Sequence, residues 1–202
     1  QSRSSAASDV YKRQGHAILF HVLPDMDPVY TISIIPTGMG AAGYTMPLPD
    51  NDEMFNTKSK MLQDIMTLLG GRVAEEIIFG DITTGASNDI KRATAAARSM
   101  VMKYGMYDKL GLTSYGDDDD EVFIGRDLAH TRSYSEDVAK AIDEEIHRII
   151  TECHDRAKEI ILEHEDVLHS CAKLLLEKEK VHREEFEALF TTEKTETEHN
   201  SI

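Results

Sequence analysis

The stretch VAKAIDEEIHRIITECHDRAKEI, residues 138–160, sets the fold class. Its apolar residues Val138, Ile142, Ile146, Ile149, Cys153, Ala157 and Ile160 are spaced 4, 4, 3, 4, 4 and 3 apart. That spacing puts all seven on one face of an α-helix, with charged residues filling the other face. A Ser133-x-x-Glu136 pattern upstream reads as a capping box that opens the helix. The stripe is long enough to demand a buried partner, which is expected to be the following helix or a neighbouring subunit.

Working outward, helical signals dominate. Downstream, Leu168, Cys171 and Leu175 mark a helix over 165–178, and residues 182–190 predict a short last one. The polar tail 191–202 is expected to fray. Upstream, Met61, Leu62, Ile65, Met66, Leu69, Val73 and Ile77 give 58–79 a continuous apolar face interrupted by Gly70-Gly71. A glycine pair costs a helix about 1 kcal/mol per residue relative to alanine, so it marks close packing or a bend. The next helix is expected from Ser87 or Asn88, as N-caps, to Tyr104, with Gly105 as the stop. Asp89 then lies in its first turn.

Nearer the N-terminus, residues 29–36 (VYTISIIP) are β-branched and aromatic, and 38–47 form a Gly-rich turn with a second short strand, giving a small sheet or hairpin. Residues 15–23 read as the end of an apolar helix stopped by Pro24. Residues 1–14 show no period that joins them to it and are left unassigned. The expectation is a mainly α domain with a small β element near its N-terminus, spanning 15–190.

The formal charge of −15, from 37 acidic against 22 basic residues, opposes a polyanionic partner and argues against nucleic acid. No run approaches the roughly 18 apolar residues of a membrane-spanning helix, and no signal-peptide core opens the chain. The chain is therefore expected to be soluble. Cys153 and Cys171 fall on apolar stripes and read as buried reduced thiols, which fits a reducing compartment.

Three features carry candidate chemistry: Gly15-His16-Ala17 on an apolar helix, Glu75-Glu76 on the 58–79 helix, and Thr83-Thr84-Gly85-Ala86-Ser87-Asn88-Asp89 at the next helix start. A helix histidine facing a carboxylate from another helix is half a metal site, because zinc accepts imidazole nitrogen and carboxylate oxygen. Locally, the carboxylate is open between Asp89, Glu75 and Glu76. Each also has a plain reading: His16 as a core histidine, Asp89 as a helix-start acid favoured by the macrodipole, and the glutamates as solvated face residues. His21 lies about 140° round the helix from His16 and should not share its face. His147, His154 and His164 read as surface residues, and Asp117 to Asp120 as a solvated acidic loop. The strand at 29–36 is a candidate substrate edge, since extended peptides pair with sheet edges.

The run Leu69-Gly70-Gly71-Arg72-Val73-Ala74-Glu75-Glu76-Ile77-Ile78-Phe79-Gly80 is followed by Thr83-Thr84-Gly85-Ala86-Ser87-Asn88-Asp89-Ile90, then Tyr104-Gly105-Met106 and Asp108-Lys109-Leu110-Gly111. With Ile34-Ile35-Pro36 and Glu184-Glu185-Phe186, this order resembles the peptidase domain of the FtsH family of ATP-dependent zinc metalloproteases. The resemblance covers residues 15 to about 190. It implies Zn2+ held by two histidines of a His-Glu-Ala-Gly-His helix and an aspartate of an Ala-Ser-Asn-Asp turn. The motif's glutamate is the general base on the zinc-bound water. Carried over, the metal ligands present are His16 and Asp89.

The pattern breaks upstream. The first histidine should stand at position 12 and the glutamate at 13, where this chain has Lys12 and Arg13. A lysine repels the ion, and an arginine does not deprotonate to act as a base. The chain is either a naturally inactive variant or one whose genuine sequence begins at Gly15 behind a foreign or misread stretch. The abrupt loss of resemblance favours the second.

The resemblance also implies hydrolysis of unfolded polypeptide, in a homohexamer with its own ATPase ring at the cytoplasmic face of the membrane. No Gly-x-x-x-x-Gly-Lys-Ser/Thr loop occurs in the chain, so ATP belongs to an upstream module, as do the membrane-spanning segments. The rival expectation is a catalytically inactive helical module for oligomerisation or partner binding.

Overall fold

The computed structural model describes residues 3–35, 43–48, 55–115 and 134–199. Among them are helices α1 (Arg3–Val22), α2 (Lys58–Phe79), α3 (Ser87–Met102), α4 (Glu136–Glu163), α5 (Glu165–Lys178) and α6 (Arg183–His199). Strands β1 (Val29–Ser33), β2 (Tyr44–Pro47) and β3 (Lys180–His182) form one antiparallel sheet in the order β2-β1-β3. The mainly α expectation holds.

The helices with the clearest apolar period begin and end where the spacing predicts. α2 is capped by the Thr57 hydroxyl, which accepts from the Lys60 N–H, and is stopped by Gly80 in the left-handed conformation at φ 60°. α4 buries Ile142, Ile146, Ile149, Cys153, Ala157 and Ile160. Its first half packs with Ile65 and Leu69 of α2 and Ala93, Ala97 and Met100 of α3. Its second half joins α1, α5 and the sheet. The expected partner, α5 or a neighbouring subunit, is thus corrected: α4 is chiefly a support for α2 and α3. Its N-cap is Ser135, whose hydroxyl accepts from the Val138 N–H, two residues beyond the expected Ser133. That serine and the acidic loop at 117–120 lie outside the described residues.

Three further expectations are corrected. First, α1 runs from Arg3 through the whole of 3–14 without a break. Its buried positions there are Ser8, Lys12 and Gln14 beside Val10, so a single apolar residue was left to mark a period. Second, α3 is entered through a 3-10 turn at Thr84–Ala86, and Ala86, not Ser87 or Asn88, is its N-cap residue. Third, the 191–202 tail continues α6 as helix to His199.

The sheet holds a strand that the spacing did not predict. β3 comes from the chain's far end and pairs with β1, Ile32 opposite Val181. Glu179, left-handed at φ 60°, turns the chain out of α5 into it. β1 is therefore the central strand, paired on both sides, and cannot offer the free edge proposed for 29–36. The edge near the candidate site is β2. Both cysteines are free and buried, as expected. Among the described residues no helix is long and apolar enough to cross a membrane.

Candidate metal centre

α1 and α2 cross backbone to backbone. A methyl on Gly70 would stand 2.7 Å from the Gly15 carbonyl oxygen and 2.7 Å from Leu19 Cδ1, so only glycines permit the approach. One residue further along α2, a methyl on Gly71 would meet His16 Nε2 and Lys12 Cγ, both at 2.6 Å. The glycine pair therefore marks close packing. It lets one face of α1, bearing Lys12 and His16, lie directly on α2.

His16 is fixed from behind. Its Nδ1 is 2.7 Å from the Thr67 carbonyl oxygen, an atom that can only accept, so Nδ1 carries the proton. Burial is the main force holding the imidazole below its ordinary pKa, and the charges of Arg13 and Lys12 push the same way. The Thr67 hydrogen bond and Asp89 oppose them without prevailing. The ring is consequently neutral, and Nε2 presents a bare lone pair.

Across from it, α3 brings Asp89 in its first turn, with Oδ2 3.8 Å from His16 Nε2. Two acceptors face each other with no proton between them, an arrangement that a cation relieves. They open on a cleft of about 650 Å³ lined by Phe20, Met26, Thr45, Pro47 and Leu68 and rimmed by charges. The Thr45 hydroxyl donates to the Arg13 carbonyl at 3.0 Å and so ties β2 to α1 beside the pair.

The two glutamates part company. Glu75, open in the sequence between a metal-ligand candidate and a solvated face residue, is fully buried. Its Oε1 accepts from the Ser8 hydroxyl and from the Thr83 hydroxyl at 2.8 Å and lies 3.3 Å from Lys12 Nζ. Burial raises its pKa, but these donors together outweigh burial and hold the carboxyl below its usual range. Glu76 faces α4, 3.0 Å from His154 Nε2 and 2.6 Å from Lys158 Nζ. Neither glutamate is turned to His16. His21 packs on Phe190 at 4.0 Å between ring centroids, away from the site, as its helical angle predicts.

Zinc requires more than this pair. A catalytic zinc site supplies three protein donors and leaves a position for water. Among the described residues no three His, Cys, Asp or Glu side chains converge on a common point. Position 12 carries an ammonium directed to Glu75. Position 13 carries a guanidinium that burial draws below its ordinary pKa while Asp9 and Asp89 favour its charge. Gln14 is fully buried, and neither amide atom of its side chain has a protein partner. His16 and Asp89 fit a zinc ion; their surroundings in this chain do not complete its site.

Sequence reasoning missed Thr67, whose part is played by its backbone carbonyl, Ser8, which lies in the segment left unassigned, and the pairing of Lys12 with Glu75. The signal within reach was Gly71 and Gly85, which leave room for the Lys12 side chain.

Comparison with known proteins bears on this geometry. The family description "Peptidase family M41" matches residues 2–189. The chain is 51% identical over 186 residues to ATP-dependent zinc metalloprotease FtsH 1 of Thermoanaerobacter sp. (strain X514), covering 92% of this chain and 30% of that protein. It is 54% identical over 179 residues to ATP-dependent zinc metalloprotease FtsH of Caldicellulosiruptor bescii, covering 89% and 29%. Against the protein of the same name from Veillonella parvula it is 41% identical over 211 residues, covering 100% and 33%. The chain thus spans about a third of the length of the curated relatives it matches. With a family match across nearly all of its residues and FtsH relatives at this identity, the chain belongs to peptidase family M41.

Proposed function

We propose that this chain is the zinc endopeptidase domain of a membrane-anchored, ATP-dependent protease that hydrolyses unfolded or membrane polypeptides, and that in its present sequence it does not cleave. The observation that carries the reading is the bare His16 Nε2 set 3.8 Å from Asp89 Oδ2 at the head of a cleft. His16 and Asp89 are two of the zinc donors; the third donor and the base belong at positions 12 and 13. The rest of the proposal follows the resemblance: a homohexamer with its own ATPase ring, on the cytoplasmic face of the membrane, with ATP and the membrane handled by an upstream segment. Residues 1–14 are proposed as foreign or misread sequence, a reading against which the family match from residue 2 counts. The unpartnered Gln14 amide supports that reading, because a buried helix position rarely carries an unsatisfied amide.

What the residues present can do is limited but definite. Thr67 orients the imidazole, Asp89 offers an acceptor, and the cleft opens beside Thr45 and Pro47 of β2. None of them accepts a proton from water at the place where a base is needed, a role worth typically 10²–10⁴-fold in rate. A second reading has one observation in its favour. Lys12 is well seated on Glu75, as it would be in a natural inactive module kept for assembly or partner binding.

Zinc titration by calorimetry on four proteins separates these readings. The chain itself should bind zinc weakly and show no cleavage of an unfolded substrate at stoichiometric zinc. Lys12→His, Arg13→Glu and Gln14→Ala together should restore tight binding and, where the domain assembles without its ATPase ring, slow cleavage. Adding Asp89→Ala to that background should abolish binding, whereas adding Glu76→Ala should not, since Glu76 faces α4. Undiminished affinity after Asp89→Ala refutes the assignment.

A further inference from the structure

In a zinc site of this kind the metal does two jobs: it supplies the reactive centre, and it ties together the elements that contribute its ligands. Here those elements are α1, through His16, and the start of α3, through Asp89. A tie between the same elements is already present one helical turn away from His16, and it contains no metal.

Lys12 lies in a slot made by two glycines. Its Cγ passes where a side chain on Gly71 would begin, and its Nζ reaches the backbone of Gly85, where an added methyl would collide with it. The ammonium ends beside Glu75 Oε1 at 3.3 Å, with side-chain exposures of 8% for Lys12 and 0% for Glu75. Oε1 also takes the hydroxyls of Ser8 from α1 and Thr83 from the turn before α3. One carboxylate oxygen thus gathers donors from α1 twice and from that turn once, on a base that belongs to α2. A carboxylate this deeply buried needs a compensating charge, because an isolated one costs far more than a fold can spare.

We infer that Lys12 is a built-in cation that locks α1, α2 and the α3 turn together through Glu75, so that the framework around His16 and Asp89 stands closed without metal. The same residue works against zinc. Lys12 and His16 flank the same glycine, Gly71, so the lysine's charge repels a dication held at His16. An ion pair stands in this chain where the resemblance places a metal ligand. The inference is about the sequence as it stands, in which Lys12 is seated on Glu75.

The test is thermal unfolding of the whole chain in chelator and in stoichiometric zinc, on the parent, Lys12→Met, Glu75→Gln and the double variant. The parent should melt at the same temperature in both conditions. Lys12→Met, which keeps length and removes charge, strands the Glu75 carboxylate and should lower the transition by roughly ten degrees. Lys12→Met with Glu75→Gln removes both charges and should recover most of that loss, giving a large coupling between the two positions. A parent whose transition rises with zinc or falls with chelator overturns the inference, and that comparison needs no variant. So does a Lys12→Met chain that melts with the parent, or a double variant whose loss is the plain sum of the singles. Failure of Lys12→Met to fold while the double variant folds supports it. Failure of the zinc titration on the repaired chain would leave these results untouched, so the two readings fall separately.

Discussion

Gly15→Ala tests whether the α1–α2 crossing, rather than any loop, sets the geometry of the site. A methyl there would stand 2.8 Å from the carbonyl carbon of Gly70 and from Ala74 Cβ, with the Gly70 carbonyl oxygen nearer still. Carbon atoms pack at about 3.5–4.0 Å, so the helices must part by about 1 Å, a gap that forfeits a quarter to a half of the contact energy along their interface. Overpacking of this sort costs about 1–3 kcal/mol. The obstacle is backbone on a paired helix and cannot rotate away, which places the cost at the upper end. Alanine's better helix propensity returns about 1 kcal/mol. The net loss is about 2 kcal/mol, or roughly 4–8 °C in a domain of this size. Because His16 adjoins Gly15, the same separation draws Nε2 away from Asp89, and zinc affinity in the repaired background should fall as well. Ala74→Gly should not rescue the variant, since the nearer obstacle is the Gly70 carbonyl. Differential scanning calorimetry decides it. A Gly15→Ala chain that melts at or above the parent would mean that helix propensity governs the position and the close crossing is not real.

Two further predictions probe the support of the site. Ile146 of α4 is 7% exposed among Ile65, Leu69 and Met100, so Ile146→Asp buries an unpaired carboxylate and should cost about 4 kcal/mol; an unchanged denaturation midpoint would show that α4 is not the support of α2 and α3. His21 packs against Phe186 and Phe190 of α6. Burial is the main force holding it below its ordinary pKa, with His164 and Arg183 in the same direction and Glu187 opposing. The unfolded chain takes up that proton near pH 6.5 while the folded chain resists it. Stability is therefore full above about pH 6.5 and is lost as pH falls below it. His21→Phe should reduce that slope in denaturation midpoints measured from pH 7.5 to 5.5, without erasing it, because His16 is depressed in the same way. A slope unaffected by His21→Phe would place His21 in solvent.

What the sequence could not show has a common physical cause: it lies where tertiary contact overrides local pattern. α2 and α5 run over the residues their apolar periods mark, because a stripe facing a core is a local property of each helix. β3 has three residues, of which Val181 alone is buried, and it is a strand because Ile32 and Ser33 present partners to it. That one pairing makes β1 central and, among the described residues, leaves β2 as the edge beside the cleft. Glu75 and Glu76 are adjacent and identical in type, yet a helix turns successive residues by about 100°. One therefore points to α1 and the α3 turn while the other points to α4. Composition treats them alike; the crossing partners decide that Glu75 is a buried anchor and Glu76 a half-buried ion-pair member. The choice of Asp89 over either glutamate was open to local reading for the same reason, since it depends on the turn that brings α3's first residues over His16. His16 itself is neutral and oriented because a carbonyl 51 residues away accepts from it. Half of the candidate site is thus a fact about residue types, and the other half is a fact about how two glycines let α1 rest on α2. A sequence that kept His16 and Asp89 but lost Gly70 or Gly71 would retain the motif and lose the site.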